Sequence, residues 1–126
     1  MIEDHLRKEV GRIGEEIACQ FLERRGFKVV SRNYRKPWGE IDIIAEKGNI
    51  VRFIEVKAVS RESAHYRPEE LVHRTKLRKV ARAAALYMEE HRDNREFQID
   101  AVTVVMNETT RIARCQLFEQ ALESNL

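Results

Sequence analysis

Asp42, Glu55 and Lys57 are the residues of this chain whose types and spacing are best suited to chemistry. Asp42 and Glu55 flank Gly48-Asn49, a dipeptide that closes two-residue hairpin loops. A loop of that length pairs Lys47 with Ile50 and, counting outward, Asp42 with Glu55; a longer loop centred on the same point keeps the register. The two acids then face each other across one sheet face, with Cβ atoms ~4.5–5.5 Å apart. Carboxylates opposed in this way repel strongly unless a cation lies between them. Hard oxygen donors, with water in the remaining positions, suit Mg²⁺ or Mn²⁺ better than zinc. Lys57 shares the face of Glu55, two residues on. Its ammonium can orient a water or neutralise charge developing on a phosphoryl group. The same register sets Glu40 against Lys57. The other reading of these four residues is a partly exposed ion-pair cluster on an uncovered sheet face. Apolar residues on both faces of each strand (Ile41, Ile43 and Ile44; Val51, Phe53, Ile54 and Val56) argue against it, because they place both strands centrally, covered on two sides.

The elements that must position these residues follow from periodicity. Ile2, Leu6, Val10, Ile13, Ile17 and Phe21 recur at helical steps, which predicts an amphipathic helix from Ile2 to Arg25 with these residues as one stripe and Gly26 as its left-handed cap. Gly11, Gly14 and Ala18 form a small-residue shoulder beside the stripe, where the backbone can lie close to a sheet. Strands are expected over Phe27–Tyr34, Glu40–Ala45, Ile50–Val56 and Phe97–Met106, with Arg111–Phe118 as an edge strand followed by a short helical tail. A second helix is expected from about Pro68 to His91, with Val80, Ala84 and Tyr87 buried. The order is helix, three strands, helix, then one or two strands, an α/β arrangement with a mixed sheet in one domain over residues 1–126.

Hydrophobic residues are 43% and charged residues 35% of the chain, which excludes disorder and leaves a heavily charged surface. The formal net charge of +2 is uninformative, but its distribution is not. Between Lys57 and Arg82 stand eight Lys or Arg against three Glu, a basic segment suited to a polyanion. Cys19 and Cys115 match no metal or disulfide spacing and are expected to be buried thiols. The N-terminal residues lack an apolar signal core, and no run approaches the ~18 apolar residues of a membrane span. A cytoplasmic protein with no membrane partner is expected.

Asp42, twelve residues, then Glu55-Val56-Lys57 resembles the PD-(D/E)XK nuclease signature, with Ile41 where the eponymous proline would stand. The fuller strings Gly39-Glu40-Ile41-Asp42-Ile43-Ile44-Ala45 and Phe53-Ile54-Glu55-Val56-Lys57 are similar to those of the YraN-like family of small bacterial proteins. Gly14-Glu15, Arg32-Asn33-Tyr34, Lys76 and Asp100 match further positions of that family, and the resemblance runs from about Val10 to Phe118. It implies a restriction-endonuclease-like αβββαβ core, akin to Holliday-junction resolvases. It further implies that an acid of the first helix, here Glu15, completes a metal site with Asp42 and Glu55.

Glu15 lies on the side of its helix that carries Gly11, Ala18 and Leu22, so it can reach the sheet; otherwise it is an ordinary surface acid. Lys76, on the apolar stripe of the second helix, must snorkel out or meet an anion, either a phosphate or an acid of the site. Arg74, Arg78, Lys79 and Arg82 are candidate backbone-phosphate contacts, or else a solvated face. His65, Tyr66 and Arg67 follow Lys57 closely enough to overhang the site. Asp100, alone among apolar neighbours, is expected to pair with a buried basic side chain. Trp38, at a turn, either stacks on a base or shields an edge of the core.

The expected activity is Mg²⁺- or Mn²⁺-dependent hydrolysis of phosphodiester bonds in linear or branched DNA, with Asp42, Glu55, Lys57 and Glu15 as its catalytic set. A homodimer is expected if the substrate is a junction, since cutting one needs two sites. Two rival classes are a nucleic-acid-binding module that keeps the fold without cleaving, and an assembly protein whose ion cluster is structural. Metal-dependent cleavage separates the first from the second, and salt-sensitive DNA binding separates the second from the third.

Overall fold

The structure, a computed structural model, describes residues 2–60, 71–107 and 109–123. The element order is α1 (Ile2–Arg24), β1 (Lys28–Lys36), β2 (Gly39–Lys47), β3 (Ile50–Ser60), α2 (Arg74–Glu90), β4 (Phe97–Asn107) and β5 (Ile112–Phe118). The five strands form one sheet in the order β1-β2-β3-β4-β5. Of these pairs β3 and β4 run parallel, joined through α2, and the other three are antiparallel, so the sheet is mixed as the alternation of elements implies. His65, Tyr66 and Arg67 lie outside the described residues. Among those described, no helix is long and apolar enough to cross a membrane.

Each sheet face carries one helix. Ala18, Cys19 and Leu22 of α1 cover Ile43, Ala45, Ile54, Val102 and Val104. Leu77, Val80, Ala83, Ala84 and Met88 of α2 cover Ile41, Ile44, Val51, Phe53 and Ile99 on the other face. The central strands β2 and β3 are thus buried on both sides, and burial of their branched side chains stabilises the fold by roughly 1.5–3 kcal/mol each.

The small-residue shoulder is the side of α1 that lies closest to the sheet, with Ile17 and Phe21 of the stripe half-buried at its flank. Gly14, Ala18 and Leu22 are buried, whereas Leu6 and Ile13 of the stripe are exposed. Bulky β-branched residues already fill the sheet surface, so only a helix face without side chains of its own can come close. Gly14 shows how close, because a Cβ there would overlap that of Ala58 on β3. Gly11, by contrast, faces open space. Gly26 caps the helix as expected, at φ +87°: its amide and that of Phe27 donate to the carbonyls of Glu23 and Leu22 at 3.1 and 3.0 Å.

The second helix begins at Arg74, six residues later than the expected Pro68, with extended His73 as its cap residue. The chain after β5 forms turns rather than a helical tail, pinned by the Ala121 amide donating to the Ile99 carbonyl at 2.9 Å. Asp100 is fully buried and meets Arg52 at 3.3 Å, with Gln98 and the Gln120 amide donating to its other oxygen. The expected interior ion pair is therefore present. Burial dominates Asp100 all the same and holds its pKa above the usual carboxylate range. Cys19 is buried and Cys115 half-buried; both are free thiols whose pKa burial raises, which makes them poor nucleophiles.

Candidate active site

Gly48 and Asn49 both adopt positive φ (61° and 64°), as a type I′ loop demands, and the β2–β3 ladder starts at Lys47↔Ile50. It runs out to Ile43↔Ile54 and stops one pair short of Asp42 and Glu55. From there β2 stays with β1 down to Gly39, while β3 stays with β4 up to Ser60. The sheet therefore forks between its two central strands, and the two acids sit in the fork. The expected opposition of Glu40 and Lys57 does not form, because the ladder has already ended.

The break has a visible cause in the backbone. Asn33 of β1 lies between the pairs Arg32↔Ile43 and Tyr34↔Ile41, across from Asp42, and adopts a left-handed φ of 53°. Strand alternation fails at the same level, for Ile41 and Ile44 point to the α2 core whereas Ile43 points to the α1 core. Past the end of the ladder, the Val56 amide donates to Oδ2 of Asp42 at 2.8 Å. A carboxylate has replaced a strand partner. Asn33 also donates a side-chain hydrogen bond to Glu15, which helps to hold that acid ionised.

Three acids of the expected set are electrostatically coupled through Asp42. Glu55 is 16% exposed, and its pKa is pushed up to about 8, chiefly by burial and then by the charge of Asp42, with which it shares a hydrogen bond. The nearby charges of Lys76 and Lys57 pull the other way. Glu15 of α1 is raised too, by burial first and by Asp42 second, against the opposing charges of Arg32 and Arg35. Among the described residues, no three His, Cys, Asp or Glu side chains converge into a full ligand group. Asp42 and Glu55 are thus the close pair, and Glu15 bears on Asp42 from the helix side.

This donor set fits Mg²⁺ or Mn²⁺, which keep several waters and take one or two carboxylates plus substrate phosphate. The raised pKa of Glu55 reflects the strain of two acids in contact, which a proton or a cation between them would relieve.

Lys57 is exposed and, with Glu55, Lys76 and His73, lines a cavity of about 150 Å³ on the α2 face. Lys76 is half exposed, and its Nζ lies 3.9 Å from Oε2 of Glu55, so it both snorkels and meets an acid of the site. Lys79 and Arg82 join Lys76 along a neighbouring groove of about 330 Å³. Arg74 opens α2 and is half-buried, while Arg78 is exposed. Asn33 entered the sequence reading only as part of Arg32-Asn33-Tyr34, with no role of its own. Its signal was available, since asparagine is the side chain most tolerant of left-handed backbone after glycine and is otherwise unusual within a strand.

A two-helix, five-stranded mixed sheet with an acid pair at the fork of its central strands has the restriction-endonuclease-like core. The chain belongs to uncharacterised protein family UPF0102, the YraN-like group, whose pattern matches residues 14–104. It is 36% identical over 107 residues to a UPF0102 protein of Dictyoglomus thermophilum, a match covering 83% of this chain and 89% of that one. Against a UPF0102 protein of Campylobacter jejuni the identity is 38% over 94 residues, 75% and 81% of the two chains. Against one of Caldicellulosiruptor saccharolyticus it is 35% over 116 residues, 91% and 98% of the two. The matched region contains Glu15, Asp42, Glu55, Lys57, Lys76 and Asp100.

Proposed function

We propose that the protein is a divalent-metal-dependent endonuclease that hydrolyses DNA phosphodiester bonds. One observation carries this reading: Asp42 and Glu55 are held in contact where the β2–β3 ladder ends, and burial with the charge of Asp42 pushes the Glu55 pKa up to about 8. A purely structural pair would have no reason to keep two acids together away from water, when either could be replaced by an apolar residue.

Asp42 and Glu55 would hold Mg²⁺ or Mn²⁺, which supplies Lewis acidity toward a phosphoryl oxygen and lowers the pKa of a bound water. Lys57 reaches the same cavity as Glu55, orients the attacking water and balances the negative charge that accumulates on the phosphoryl group. Glu15, fixed by Asn33, is a positioning residue whose charge bears on Asp42 from the helix side. Lys76 exchanges the Glu55 carboxylate for a substrate phosphate, and Lys79 and Arg82 carry the strand onward along α2.

The test is a panel of linear, flapped and branched DNAs incubated with Mg²⁺, Mn²⁺ or chelator. Cleavage is expected only with metal, and Glu55→Ala should reduce it by at least ~10³-fold, comparable to losing a principal charge-stabilising group. Metal-independent cutting, or Glu55→Ala at wild-type rate, would defeat the proposal. Binding gives a second check. DNA affinity should fall with salt at a log–log slope of about −0.9 per phosphate neutralised. Replacing Lys79 and Arg82 together with Ala should make that slope shallower by about 0.9 for each phosphate no longer neutralised. An unchanged slope would move the DNA surface elsewhere.

A further inference from the structure

Beside the fork, the β1–β2 turn presents an exposed aromatic residue against the basic helix. Trp38 is 42% exposed, although an indole that only sealed a core edge would be covered. Its perch is rigid. Pro37 precedes it, and Gly39 follows at φ +153°, pressed so close to α2 that a Cβ there would lie 3.1 Å from the Ala83 Cβ and 3.8 Å from the Lys79 carbonyl. Trp38, Glu40, Lys76, Lys79 and Arg82 line the groove of about 330 Å³ that results. Lys76 lines both this groove and the cavity of Glu55 and Lys57, so the two are neighbours.

The components match an unpaired nucleotide. Successive bases of a single strand stack on aromatic side chains while cations follow the backbone, whereas the bases of a continuous duplex have both faces covered. Lys79 and Arg82 supply the cations. Glu40 would repel a phosphate, but it is an acceptor suited to the exocyclic amine of a cytosine. The space holds about one nucleotide.

We infer that the Trp38 groove binds one unpaired nucleotide adjacent to the phosphate at the fork, so that the substrate is DNA with a single-stranded stretch at the cut rather than continuous duplex. The placement of that nucleotide next to the cut rests on the nuclease reading above; the stacking site itself can be tested without cleavage. Trp38 is the sole tryptophan of the chain, so its fluorescence reports this groove alone. In chelator, a short oligodeoxycytidylate should quench that fluorescence. An abasic oligomer of equal length and a blunt duplex of equal length should quench it far less.

Trp38→Ala should weaken binding of a labelled single strand about tenfold, in line with the loss of one base stack, and leave duplex binding unchanged. Trp38→Phe, which keeps a π face, should retain most of the affinity and confirms that the turn still folds. Equal quenching by the abasic oligomer or the duplex, or unaltered single-strand affinity in Trp38→Ala, would overturn the inference. Cleavage of the DNA panel by wild type without quenching would remove the stacking site and leave the nuclease; quenching without cleavage under any metal would do the reverse.

Discussion

Metal-free, the protein should lose stability as pH rises from about 4.5 through about 8, and millimolar Mn²⁺ should restore it. Glu55 holds its proton more tightly folded than unfolded. Its contribution is therefore fully present below the unfolded pKa and lost as pH passes through the folded one. One proton limits the slope to about 1.4 kcal/mol per pH unit, so the whole effect is a few kcal/mol, or on the order of 10 °C in melting temperature. Glu15 and Asp100 are shifted in the same direction. Glu55→Gln isolates the fork, because it should flatten the Glu55 part of the profile and remove the metal response.

A cation bound only by the folded state adds about 2.7 kcal/mol at a hundred times its Kd. Asp42→Asn keeps an acceptor for the Val56 amide while removing one charge. It should melt at or above wild type without metal and ignore Mn²⁺. Asp42→Ala leaves that amide unsatisfied and should lose about 1–3 kcal/mol. If Asp42→Asn is destabilised as much as Asp42→Ala, and wild type is indifferent to Mn²⁺, the acids form an ordinary ion-pair cluster and the metal site is wrong.

Gly14→Ala should be among the most damaging single changes, though alanine is normally favoured over glycine in a helix by about 1 kcal/mol. The new methyl would overlap Ala58, so α1 must move off β3. Overpacking of this kind costs typically about 1–3 kcal/mol, occasionally more, and here it also displaces Glu15 from Asp42. Adding Ala58→Gly should recover much of the stability, less the roughly 0.5–1 kcal/mol that glycine costs within a strand. Melting curves of the four proteins decide it: the pair of changes should be markedly better than the sum of the singles. Strict additivity would mean that the helix and strand do not meet at this point.

The neighbourhood of the two acids was legible because Gly48-Asn49 sets a register by local geometry alone, and the pairs from Lys47 to Ile43 follow by counting. Counting fails at the next step. The ladder ends where Asn33 turns left-handed and β3 commits itself to parallel pairing with β4, a partner forty-odd residues distant in sequence. That is why Glu40 and Lys57 were expected to face each other and do not. On α1, periodicity located the helix but weighted large side chains. The Gly14–Ala18 shoulder was legible as a face that could lie close to a sheet, whereas its meeting with Ala58 was not, because that depends on what the helix faces. Lys76 shows the intermediate case: its dilemma was readable from the stripe, and Glu55 as the acid that answers it was not.

β1 is an edge strand, and an edge offers a row of free amides and carbonyls to any passing chain. Here that row is interrupted twice, by the register shift between Val29 and Ser31 and by Asn33. Lys28, Arg35 and Lys36 add like charge along it, while Arg32 pairs with Glu16 at 2.8 Å. A second molecule laid against this edge would find neither a continuous template nor a neutral surface, so edge-to-edge aggregation is blocked on that side. The irregularity beside the fork on the inner side of β1 thus makes its outer side a poor template for fibre growth, so resistance to edge pairing and the acid site are tied to the same irregular strand.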